Sequence, residues 1–304
     1  MDRSKEPEVA ADITARKPKP IVMLDHGNCK WEHKRLADVF IPMHVGPVIL
    51  FKEKVIQPSL NALDKEIATF TKPGDTTEAY RQVEVQQLRK TTLQSFCPST
   101  HAVFERALRS WISDSLHQVA NDEPDVIIEL YLFFEDADER CDEPLAVAFA
   151  LEKLKARVRK DNLWKLKDVV QRFRGVALND LPCYRVLSLM ETVANACRHG
   201  DGDAVKKLFH ERPDFWPEPL RNLTLQRNGV LGFSSITFPD KLLYAFCDAI
   251  VAFWDDLHLV HLCSFGNLSL LIKEEQGEAS VLLKKSREYV ERLKTNPLFG
   301  AQTP

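Results

Sequence analysis

The feature that most constrains this chain is a set of apolar side chains recurring at the period of an α-helix. Leu242, Leu243, Ala245, Phe246, Ala249, Ile250, Phe253, Trp254 and Leu257 sweep out a wide apolar face. Phe104, Ala107, Leu108, Trp111, Ile112, Leu116 and Val119 trace a second stripe. Faces this wide are stable only when other helices cover them, so the pattern predicts a mainly α protein built as a helical bundle. Pro239 is expected at the first position of the 242–257 helix. Similar spacing predicts helices from Ser59 to about Phe70, Glu78 to Phe96, Val126 to about Ala137 and Glu278 to Leu293. Pro73-Gly74-Asp75 separates the first two, and Ser99 or Thr100 is expected to cap the helix that follows them.

Two departures from this pattern predict a little β structure. Pro20–Leu24 and Pro47–Phe51 are short runs rich in Val and Ile, expected as strands of a small N-terminal β element. Asn228-Gly229, flanked by Leu223–Gln226 and Val230–Phe233, predicts a β-hairpin near 222–238. The organisation expected is a disordered lead-in over 1–19, a β/α extension over 20–97, a helical domain over 98–263, and a C-terminal helix and tail over 264–304.

Composition narrows the function. With 304 residues, 44% apolar and 28% charged, the chain reads as soluble and globular. No run approaches the length a membrane span needs, and the charged N-terminus does not resemble a secretory signal. Seven cysteines without close pairing fit the reducing cytoplasm. A net charge of −3 argues against non-specific coating of nucleic acid, though not against a local basic site.

Such a site has a candidate. Asp122–Glu143 carries ten acidic residues and one arginine, whereas Lys153–Arg174 carries nine basic residues against two acidic. These blocks read either as solvated helix faces that attract one another, or as a basic track, with Lys153, Lys155, Arg157, Arg159 and Lys160 at its head, that guides an RNA backbone. Apart from Trp164 and Phe173 the basic block lacks the aromatics that stack on single strands. Two groups of metal-ligating side chains are weak. His26, Cys29 and His33 lack a fourth ligand, and Asp255, His258 and His261 drift about 60° per step around a helix. Neither a metal nor a cofactor is expected, and there is no Gly-rich phosphate loop.

The strongest polar constellation lies in Leu187–Asp203. Val186, Leu187, Met190, Val193, Ala194 and Cys197 form an apolar face, and Glu191, Asn195 and His199 follow one another at i,i+4 on another, with Arg198 alongside. Gly200 is expected to end the helix in a positive-φ conformation, and Asp203 to cap the next one, up to Arg212 and Pro213. Arg-His-Gly is also ordinary helix-terminus chemistry, with cations at the negative end of the helix dipole.

The string Asn195-Ala196-Cys197-Arg198-His199-Gly200-Asp201-Gly202, the preceding helix opened by Phe104-Glu105-Arg106-Ala107-Leu108-Arg109, and the later Arg212-Pro213-Asp214-Phe215 and Phe253-Trp254 resemble bacterial proteins of the HEPN-like superfamily, in its Asn-x-x-Lys/Arg-His-Gly branch. The resemblance covers about residues 100–260. It implies a helical bundle, a homodimer with facing motifs (here through the 104–119 and 185–199 helices), and metal-independent cleavage of RNA in antiviral or toxin–antitoxin systems. The family motif is Arg, a polar residue, three of any kind, then His. Asn195 takes the polar place and His199 the histidine place, while the arginine place falls on Ala194.

On this reading His199 moves a proton, Arg198 stabilises phosphate charge with its planar donor fork, Asn195 orients the imidazole or a phosphate oxygen, and Glu191 holds Arg198 or tunes His199. The alternatives are a catalytically inactive dimerisation or scaffold module working with a partner protein of a defence system, and a module that binds RNA or a nucleotide without cutting.

Overall fold

The structure is a computed structural model describing residues 21–26, 36–70, 76–135, 144–160, 163–226, 231–264 and 273–299. Its helices are α1 (Leu36–Val39), α2 (Val45–Phe51), α3 (Gln57–Thr69), α4 (Thr76–Asp122), α5 (Pro124–Glu135), α6 (Pro144–Lys160), α7 (Leu163–Arg174), α8 (Tyr184–His199), α9 (Asp203–Glu211), α10 (Glu218–Gln226), α11 (Asp240–Cys263) and α12 (Lys273–Thr295). Among the described residues there is no strand. Nor is any described helix long and apolar enough to cross a membrane.

The two stripes that dominate the sequence meet at the centre. Phe104 packs edge-on to Phe253 at 5.1 Å, and Trp111 to Trp254 at 6.0 Å. α11 is buried on nearly every side: α12, α2, α8 and α4 surround it. Only a helix apolar on most of its circumference can take that place. α8 is its counterpart, with ten of its sixteen residues buried. The apolar faces of the 104–119 and 185–199 segments are covered within one chain.

Several local expectations are corrected. Pro47–Phe51 is helix, not strand. Val48, Ile56 and Leu60 are buried along one side of α2–α3, and Lys52 bonds Asp248 of α11 at 2.7 Å, so packing overrides the β preference of Val and Ile. Pro47 is tolerated because it lies in the first turn. Residues 21–24 have no regular structure, and Pro20 lies outside the described residues. The described residues of 222–238 form no strand either. Leu223–Gln226 ends α10, Asn228 and Gly229 lie outside the described residues, and Phe233–Ser235 is a 3-10 turn. Trp216 Nε1 holds that turn through the Gly232 carbonyl at 3.0 Å, and Thr237 N–H bonds Phe215 O at 2.8 Å.

The helices expected either side of residue 97 are one helix, running through Pro98. Ser99 and Thr100 do not cap. Their hydroxyls donate to the carbonyls of Ser95 at 3.0 Å and Phe96 at 2.8 Å, beside the gap that the missing proline N–H opens in the ladder. The boundary drawn at 97/98 thus falls inside α4. Asp203 is the first helical residue of α9 with Gly202 as cap, and Pro239 is the cap rather than the first residue of α11.

A buried ion pair and a buried hydrogen bond tie distant segments together. Arg174 and Asp38, both 0% exposed, meet at 2.8 Å, and Asp38 also accepts from Trp111 Nε1 at 3.3 Å. His26 Nε2 bonds Asp256 of α11 at 3.0 Å.

Candidate functional site

α8 presents its polar residues where its sequence stops being apolar. Val186, Leu187, Met190, Val193 and Ala194 are fully buried, Asn195 is half-buried, and Arg198 and His199 are exposed. Gly200 then ends the helix at φ +62°, its N–H closing on Ala196 O at 3.0 Å. That backbone suits glycine, as the sequence predicts. Asp201, next in line, accepts the backbone N–H of Phe233 and so ties the loop before α11 to this turn.

Arg198 reaches across to α4. Its guanidinium donates to Asn195 Oδ1 at 3.3 Å, to the Pro98 carbonyl at 3.4 Å and to His101 Nδ1 at 3.4 Å. All three bonds are longer than the usual 2.9–3.0 Å, so they orient the arginine without locking it. Its outer face stays open to solvent.

His101, Glu105 and Arg109 extend the cluster along α4 at successive i,i+4 positions. Glu105 lies 3.8 Å from His101 Nδ1 and pairs with Arg109. Arg109 in turn donates to the carbonyl of Arg159 at the end of α6. Burial lowers the His101 pKa to about 4. Glu105 opposes that shift, while Arg198 and Arg109 add to it. At neutral pH His101 is therefore uncharged and accepts from Arg198.

Sequence reasoning assigned no role to His101, Glu105 and Arg109. Their i,i+4 spacing was visible, but their convergence with Asn195 and Arg198 required the packing of two helices.

Glu191, one turn before Asn195, is 5% exposed, and its carboxylate acts on Tyr184. Burial first, then Glu191 and Asp168, push that phenol up to about 12.

The basic block divides. Arg159 and Lys160 are exposed at the end of α6, beside the Arg109 contact. Lys153 sits 5.2 Å over the Phe149 ring, Arg157 4.7 Å over Phe134 and Arg172 3.5 Å over Phe133. Lys155 faces Glu152 at 3.4 Å. Arg174 is buried with Asp38 and unavailable to any ligand. The aromatics missing from the block's own sequence are thus supplied partly by α5, and Phe133 and Phe149 are about half exposed.

Among the described residues no three His, Cys, Asp or Glu side chains gather where they could hold a metal ion. Asp255 faces Lys285 at 3.6 Å, His258 faces Glu278 at 3.8 Å, and His26 is engaged by Asp256, while Cys29 and His33 lie outside the described residues. Comparison of the chain with protein-family models, with curated proteins and with solved structures returns no match.

Proposed function

We propose that this protein is a HEPN-like, metal-independent ribonuclease effector of a bacterial defence or toxin–antitoxin type system, acting in the cytoplasm as a homodimer. In this reading His199 exchanges the proton and Arg198 stabilises the phosphorane charge, with Asn195 orienting them. One spatial observation carries it. A continuous polar line runs from Asn195 and Arg198 through His101, Glu105 and Arg109 to Arg159. From His101 to Arg109 that line is about 12 Å long, at 1.5 Å per helical residue. A strand led by Arg159 and Lys160 would therefore pass towards Arg198. Arg198 is loosely held and exposed on one face, so it can turn to a phosphate, and His199 is exposed beside it.

A second reading rests on Ala194. It occupies the family's arginine place and is 0% exposed, so no guanidinium serves the site from that position. This favours a catalytically inactive module that binds RNA or a nucleotide, or that acts as a dimerisation or scaffold part with a partner protein. The test is cleavage of total RNA and tRNA in EDTA. The expected outcome is cleavage by wild type that falls at least ~100-fold in His199→Ala and in Arg198→Ala, as expected for loss of a general acid–base or a charge-stabilising group. RNA binding without cleavage by folded wild type would support the second reading.

A further inference from the structure

We infer that the exposed face of residues 39–51 is where a second copy of this chain docks, about a twofold axis at Gly46 and Pro47. These thirteen residues carry no charge, and His44 is their one polar side chain. A helix apolar all round belongs in an interior. This one is covered on one side only. Ile41 and Val48 are buried, Val45 and Phe51 pack partly against the core, and the His44 ring lies 4.4 Å from that of Trp254 on α11. On the other side Val39 is 58% exposed, Phe40 49%, Met43 68%, Ile49 38% and Leu50 57%. A 3-10 turn over Ile41–His44 runs straight into α2, because His44 and Val45 both have helical φ and ψ. Met43, Gly46, Pro47 and Leu50 therefore share the outer face at i, i+3, i+4 and i+7.

Three observations select a second copy as the occupant. The first is area. The five exposed side chains each leave about half of the roughly 150–200 Å² that a large apolar side chain can bury, on the order of 500 Å² together. A standard interface takes about 800 Å² from each partner, and about 65% of a homodimer interface is apolar, which is again about 500 Å². The second is order along the helix. A twofold axis between positions 46 and 47 carries position 43 onto position 50, so Met43 of each copy lies against Leu50 of the other. That is the self-complementary pairing an isologous contact needs, with a flexible thioether to fit the branched partner. The third is depth. Gly46 stands at the axis, and a Cβ built there meets nothing within 4 Å. No long side chain at the crossing holds the two backbones apart.

Charge disfavours other occupants. A lipid surface binds helices rich in Lys and Arg on the face opposite the apolar one. Here the opposite face is the protein core, and the exposed charges that follow, Glu53 and Lys54, are one of each sign. An unlike protein partner is selected by complementary charge, and this face has none to offer.

The surface supplies a contact for the homodimer of the proposed function and rests on that part of it, while using no residue to which that function assigns chemistry. Sedimentation velocity of the full chain over a concentration series tests it. The wild type is expected to be a dimer at ~10 µM. Met43→Asp and Leu50→Asp should each raise the dissociation constant at least ~30-fold, the loss that a central interface residue carries. Val281→Asp, at a side chain 56% exposed on α12, should leave it unchanged. Gly46→Leu separates a close helix crossing from general apolar adhesion. It adds apolar surface, yet it holds the two backbones apart and should weaken the dimer at least ~10-fold. Circular dichroism establishes that each variant is folded. A dimer that survives both Met43→Asp and Leu50→Asp would leave the homodimer standing and overturn this surface. A wild type that stays monomeric at ~100 µM would overturn the surface and the homodimer together. Binding of the wild type to phosphatidylcholine vesicles, strengthened by Gly46→Leu, would overturn the second copy as occupant. None of these readouts uses RNA, so failure here and failure of the nuclease reading are told apart.

Discussion

His101 makes the site sensitive to acid. Its folded pKa is about 4, against about 6.5 for a free histidine. Between those values the unfolded chain binds the proton and the folded one does not, so stability is present above about pH 6.5 and is lost as pH falls towards 4. The contribution is on the order of 3 kcal/mol. Urea midpoints measured from pH 7 to pH 4 should drop less in His101→Gln than in wild type, with the difference concentrated in that window. Equal slopes would mean that His101 stays solvated. His44 and His258 are shifted down by burial too, so the variant retains part of the acid sensitivity.

At the scale of the element, the end of α8 depends on one backbone conformation. Gly200 has φ +62°, and although nothing lies within 4 Å of a Cβ built there, an L side chain is strained by the backbone itself. Gly200→Ala should cost about 1–3 kcal/mol in urea unfolding. If Arg198 and His199 act as proposed, it should also reduce cleavage, because the turn sets where they point. A neutral substitution would mean that the turn relaxes to another conformation. α4 shows the complementary case. Its proline reads locally as a break, yet the helix continues, because Phe104, Leu108, Trp111 and Leu116 on one side of it and Leu93 and Cys97 on the other all bury against the same core. Burial along both halves outweighs a cost of about 3 kcal/mol for one interior proline.

At the scale of the whole molecule, Asp38 and Arg174 join the N-terminal helices to α7 inside the core. Removing one partner leaves a charge buried without its pair, so Asp38→Ala should destabilise by about 3–5 kcal/mol. The double variant Asp38→Leu/Arg174→Met should recover most of that loss, since an apolar pair has no desolvation penalty. Denaturation followed by tryptophan fluorescence and by far-ultraviolet circular dichroism should coincide if the ion pair and the shared core make the chain unfold as one unit.

What the sequence determined by itself is the helical class and the identity of the central packing residues. Apolar side chains spaced at 3.6 residues leave few ways to be covered, and the stripes carrying Phe104, Trp111, Phe253 and Trp254 meet as their spacing requires. The helix stop at Gly200 was equally legible, because positive φ is a local demand. Tertiary structure alone decided the rest. The Val/Ile run at 47–51 is helical because α11 lies beside it, and Pro98 sits inside α4 because the core spans both sides of it. The meeting of Arg198 with His101 and of Arg109 with Arg159 joins residues 97 and 50 positions apart. Periodicity states which face of a helix is apolar. It carries no information about which helix lies opposite, or in what register, and those two quantities place every polar contact of the candidate site.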